Sequence, residues 1–128
     1  MRHKLAIIFA VTISLCISTV LFAHHGNASY ESDKTVTVSG SVTEWLWANP
    51  HCFLKFDAKG DSGEQTHWVV ETSNPQDMVR QGWARDSFKP GDEITITLIQ
   101  AKNGRPIGRF AGKSVVLNGK RFPAIASQ

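Results

Sequence analysis

The sequence predicts an all-β domain with one short helix, closed into a small barrel. Apolar and polar residues alternate with a period of two over most of the second half of the chain and much of the first, the signature of strands with one buried face. Glycine- and proline-rich turn signals separate these stretches. A single segment, between the third and fourth alternating stretches, carries helix-start chemistry instead.

In chain order, Val36, Val38, Gly40 and Val42 alternate with Thr37, Ser39, Ser41 and Thr43. This is a half-buried strand, with Gly40 as a bend or bulge. The inward phase then passes to odd-numbered Trp45 and Trp47, and a bulge is the physical means of such a shift. After Asn49-Pro50, the residues Cys52, Leu54 and Phe56 form the inner face of a second strand. Lys59-Gly60-Asp61-Ser62-Gly63 is a turn, and Trp68, Val69 and Val70 centre a third strand over residues 65–72. Ser73-Asn74-Pro75-Gln76-Asp77 supplies a side-chain cap, an early proline and an acid for a helix of about two turns. Met78 and Val79 are expected to face inward, and Gly82 to end the helix. Lys89-Pro90-Gly91-Asp92 leads into a fourth strand at 93–101, Phe110 to Leu117 form a fifth, and Asn118-Gly119 turns the chain back along 120–125. Three strands, a helix and two or three further strands follow the order of an OB-fold. A β-sandwich is the alternative, although it usually needs more strands and no such helix.

The first 23 residues read as an export signal. A basic start, Arg2 and Lys4, precedes the apolar run Leu5 to Phe22, and Ala23 offers a small residue for cleavage before polar His24. An uncleaved inner-membrane anchor through Leu5 to Ala23 is the alternative, since the run is about long enough to span a bilayer. The chain thus divides into a signal peptide at 1–23, a flexible arm at 24–34 and one domain at 35–128. Without the leader, Cys52 is the sole cysteine, so the exported domain has no internal disulfide and Cys52 is expected to be a buried small hydrophobe. Charge is uneven. Six basic residues accompany eleven acids from His24 to Glu93, whereas the segment 94–128 has six basic residues and no acid. That asymmetry suits anionic partners of the cell envelope, or simply strand edges protected from aggregation.

Ala23-His24-His25, Trp47-Ala48-Asn49-Pro50-His51, Trp68 with Glu71, Ser73-Asn74-Pro75, Gly82-Trp83 and Lys89-Pro90-Gly91-Asp92 together resemble a family of small exported bacterial proteins of unassigned function. The resemblance spans nearly all of the mature chain. It implies cleavage next to the histidine pair and a periplasmic location, and it implies no activity or catalytic residue.

Two kinds of site can be read from the side chains. Cleavage after Ala23 would expose a free α-amine on His24, which chelates a metal ion together with the imidazole of His24 or His25. A further imidazole from the domain, His51 or His67, would complete a nitrogen-rich site of the kind that favours Cu(II). Alternatively, Trp47, His51, Trp68, Glu71 and Trp83 line a ligand-binding face, since the aromatic outer face of an OB-fold stacks on flat or sugar-like guests. Each residue also has a plainer role open to it: a polar arm for the histidine pair, a local hydrogen bond for His51, core packing for each tryptophan. No nucleophile elbow, phosphate loop or paired-cysteine motif is present in the sequence. The expectation is a monomeric, non-catalytic periplasmic module binding an envelope component or small ligand, with no nucleic-acid partner. Copper handling is the alternative.

Overall fold

The structure is a computed structural model that describes residues 30–112 and 114–124, with the backbone alone for 31–33. Its elements are β1 (Tyr30–Leu46), β2 (Phe53–Lys59), β3 (Gln65–Glu71), α1 (Pro75–Arg80), β4 (Glu93–Ala101), β5 (Ile107–Phe110), β6 (Val115–Leu117) and β7 (Lys120–Phe122). Five strands close a barrel in the order β1-β2-β3-β5-β4, sealed by the pairing of β1 with β4, and the β6–β7 hairpin extends the sheet from β4. The β3–β5 contact is parallel and the others are antiparallel. The seal between β1 and β4 leaves the barrel without the two separate sheets of a sandwich.

One long strand serves two partners because it bends. The first half of β1 pairs with β4 and the second half with β2, with a register shift between Val42 and Glu44. The expected bulge is therefore present. Gly40 sits at the crossing, where a Cβ would strike the carbonyl of Asp57 and the ring of Phe56. The shift turns Trp45 and Trp47 onto the side of Val42, so the alternation of the whole strand serves one interior.

That interior holds Val42, Cys52, Leu54, Phe56, Val70, Ile94, Ile96 and Leu98, all buried. The segment after β3 plugs one end of the barrel. Asn74 caps α1 by accepting from the Asp77 amide at 3.0 Å. Gly82, at φ +86, ends it, with its amide on the Val79 carbonyl and the Trp83 amide on the Met78 carbonyl, both 2.9 Å. This glycine turn swings Trp83 over Met78 and into the core, where Trp83 is 1% exposed and packs against Trp45, Phe88, Phe110 and Phe122.

Three expectations need correction. Val79 is 60% exposed, because a helix of six residues offers one inward face and Met78 and the following Trp83 fill it. The strand expected at 110–117 is two strands: β5 ends at Phe110, and β6 starts at Val115. The closing strand β5 contains Gly108, packed so tightly that a Cβ would strike Leu98, and carries little of the apolar signal that made Val115 and Val116 conspicuous. Finally, β1 starts at Tyr30, so the last residues assigned to the arm belong to the barrel. The proposed signal peptide and residues 24–29 lie outside the described residues.

Candidate functional site

Alternation on β2 and β3 sends Leu54, Phe56 and Val70 inward and Phe53, Lys55, Asp57, His67, Val69 and Glu71 outward. Glu71 closes β3, and register places it between Phe53 of β2 and Arg109 of β5. Two side chains meet this carboxylate, and a third stacks on one of them. His51 meets Glu71 Oε1 through Nδ1. The Tyr30 hydroxyl donates to Glu71 Oε2 at 3.1 Å. The Arg109 guanidinium lies over the Tyr30 ring, 5.6 Å from its centroid. Burial, the Glu71 charge and the hydrogen bond to Glu71 all raise the Tyr30 pKa above its ordinary 10.0, with Arg109 acting the other way.

A cleft of about 180 Å³ opens beside this cluster. Thr72 and Ser73, which continue β3, form one wall, and Arg109 and Phe110 of β5 the other. Met78 and Gln81, from the helix and its cap, complete it together with Gly112. The Thr72 hydroxyl donates to the Cys52 carbonyl at 3.0 Å, which ties the wall to β2. Burial raises the Cys52 thiol pKa above its ordinary value, in keeping with an inert core side chain. Behind Phe110 stands Trp83, with ring centroids 5.4 Å apart. The indole N–H of Trp83 is buried without an acceptor among the described residues.

Of the expected ligand-binding residues, the fold joins His51 and Glu71 directly. Trp83 belongs to the core, so it supports the cleft from behind rather than lining it. Trp47 packs edge-on against Trp45 at the plugged end, with centroids 5.7 Å apart. Trp68 stacks on Phe56 within the barrel, 6.4 Å away and nearly parallel. His67 pairs with Asp57 through Nδ1 near the β2–β3 turn. Four ladder steps separate Asp57–His67 from Phe53–Glu71, roughly 13 Å at strand rise, so His51 and His67 occupy separate places. Among the described residues no three His, Cys, Asp or Glu side chains gather as for a metal ion. His24 and His25 lie outside the described residues.

A family model matches residues 12–110, more than three quarters of the chain and every residue of the cluster. The chain belongs to DUF6152, a family of unknown function. The DUF6152 match ends at Phe110, the last residue of β5, so the β6–β7 hairpin lies beyond it. No curated protein matches the chain. Sequence reasoning missed Tyr30 and Arg109 of the cluster and, with Arg109, every residue that lines the cleft. Tyr30 is the single tyrosine in the chain and was hidden in a polar arm, while Arg109 counted only as one charge in a basic segment.

Proposed function

We propose that this protein is an exported, non-catalytic binding module that holds a small organic anion with an apolar body in the cleft between α1 and β5. One observation carries the reading: the cleft is lined by a cation, Arg109, together with the apolar side chains of Met78 and Phe110, beside a polar cluster fixed by Glu71. A few placed polar groups in a concave, partly apolar site fit ligand binding, and arginine suits a planar carboxylate. The non-catalytic part of the reading is supported by how the reactive groups are engaged. The Thr72 hydroxyl is directed to backbone carbonyls, and the Cys52 thiol is buried in the core. The leader-like order of the first 23 residues supports a periplasmic location.

The test is a calorimetric titration of the purified protein with small carboxylates of increasing apolar size, such as acetate, butyrate and benzoate. Affinity should rise with apolar size and fall at least about tenfold in Arg109→Gln, the value of a charge-assisted hydrogen bond. Equal affinity in that variant would contradict the reading.

Copper handling is favoured by a different observation. The carboxylate on His51 Nδ1 leaves Nε2 for a ligand, the arrangement that commonly orients metal-binding imidazoles. Tyr30, which touches the same carboxylate, is five residues from His25 in the chain, a reach of at most about 18 Å. Tight Cu(II) binding by a chain starting at His24, lost both with an added N-terminal alanine and in His51→Ala, would support this second reading. Weak binding indifferent to His51 would dismiss it.

A further inference from the structure

A groove on the outer face of β1, β4, β6 and β7 lies in a part of the molecule that the cleft does not use. Register aligns Ser39 of β1 with Thr95 of β4, Thr95 with Val116 of β6, and Val116 with Arg121 of β7. Thr37 and Thr97 form the adjacent rung. Thr37, Thr95, Thr97, Val116 and Arg121, with Ser114 and Val115, line a groove of about 350 Å³ that has no acidic side chain among the described residues. Paired hydroxyls run along one side: Thr37 with Thr97 at 2.9 Å and Ser39 with Thr95 at 2.7 Å. On the other side Arg121 donates from Nε to the Ser114 hydroxyl at 2.9 Å. This bond orients the guanidinium while its two terminal nitrogens keep their donors. Val116, 42% exposed, supplies an apolar patch between the two sides.

We infer that this groove binds an acidic saccharide, with Arg121 taking the carboxylate and the Thr37, Thr95 and Thr97 hydroxyls taking the ring hydroxyls. Threonine pairs alone are ordinary strand chemistry. The oriented guanidinium facing them and the apolar patch between, with no acid in the lining among the described residues, are what point to a polyhydroxylated anion. The row crosses four strands, about 14 Å at usual strand spacing, which gives room for more than one sugar ring. A lipid surface would be met by several clustered cations, whereas among the described residues one arginine lines this groove.

The experiment is an NMR titration of the purified full chain with trigalacturonate, with maltotriose as the neutral comparison, inorganic phosphate as the bare anion and phosphatidylglycerol vesicles as the lipid surface. Saturable shifts at Thr37, Thr95, Thr97, Val116 and Arg121 with trigalacturonate are expected. Affinity should fall at least about tenfold in Arg121→Gln and several-fold in Thr97→Val, with unchanged circular dichroism in both. Maltotriose should bind more weakly than the acid. Four results would each overturn the inference: no saturable trigalacturonate binding, equal affinity in Arg121→Gln, phosphate matching the saccharide in affinity and shifts, or capture by vesicles alone.

Discussion

Two histidine–carboxylate pairs occupy the same outer face of β2 and β3, and they make the same bond in different settings. Each histidine meets its partner through Nδ1, and the carboxylates are equally sheltered, 23% exposed for Glu71 and 22% for Asp57. The histidines differ: His51 is 46% exposed and His67 77%. The neighbours differ more. Glu71 also holds Tyr30, stands level with Arg109 on β5 and borders the cleft over the aromatic plug. Asp57 is joined by the exposed amide of Gln65 and faces a shallow hollow lined by Ser39, Gly40, Ser41, Lys59 and Glu93. A pair of side chains becomes a site through what surrounds it: the Glu71 pair has an arginine stacked on its tyrosine and a packed aromatic floor behind the cleft, whereas the hollow at Asp57 sets Lys59 against Glu93.

The largest effect is expected from removing that floor. Trp83→Ala should cost about 3–5 kcal/mol in chemical denaturation, as for other buried large aromatics. It should also loosen Phe110 and the cleft while leaving the His67–Asp57 end unchanged in amide chemical shifts. Gly40→Ala reverses the geography. Its Cβ would strike the backbone of Asp57, so a loss of about 1–3 kcal/mol is expected, with shifts concentrated at Asp57 and His67. Either variant disturbing both pairs equally would break the comparison.

Carboxylate removal sharpens it. Glu71→Ala should cost about 1.5–3 kcal/mol, the scale of hydrogen bonds to a charged group. Asp57→Ala should cost less than about 1 kcal/mol, because its ion pair is with a largely exposed histidine. Denaturant melts of both variants, and of double-mutant cycles with His51→Ala and His67→Ala, measure the difference. Tyr30→Phe should cost about 1 kcal/mol at neutral pH. Its pH dependence has a defined sign. The folded-state pKa of Tyr30 lies above the ordinary 10.0, so its stabilising contribution is fully present below pH 10.0 and is lost as pH rises through the raised value. The stability gap between the wild type and Tyr30→Phe should therefore close in strongly alkaline buffer, and a gap that widened would show that Glu71 does not hold the neutral phenol.

These contrasts explain which parts were legible in the sequence. Val36, Val38, Val42, Leu54 and Phe56 declare their strands because burial of one face imposes a period of two. The change of phase between Val42 and Trp45 declares the bulge for the same reason. The Asn74 cap and Gly82 announce the helix through local hydrogen bonding. Strand β5 was not legible. It is four residues long and contains a glycine whose purpose, close packing on Leu98, exists only after the barrel closes. The polar cluster was half legible and the lining of the cleft was not legible at all. His51 and Glu71 stood out by chemistry, but Tyr30 reaches Glu71 across 41 positions and Arg109 reaches Tyr30 from the other end of the chain. No local pattern records such meetings.

The most direct test of the claim that the cleft beside Glu71 is the binding site is an amide-resolved NMR titration of the purified protein with benzoate. The predicted result is saturable shifts at Thr72, Ser73, Gln81, Arg109 and Gly112, with His51 and Tyr30 following and His67 and Asp57 unmoved. Shifts confined to the His67–Asp57 end, or spread evenly over both pairs, would contradict it.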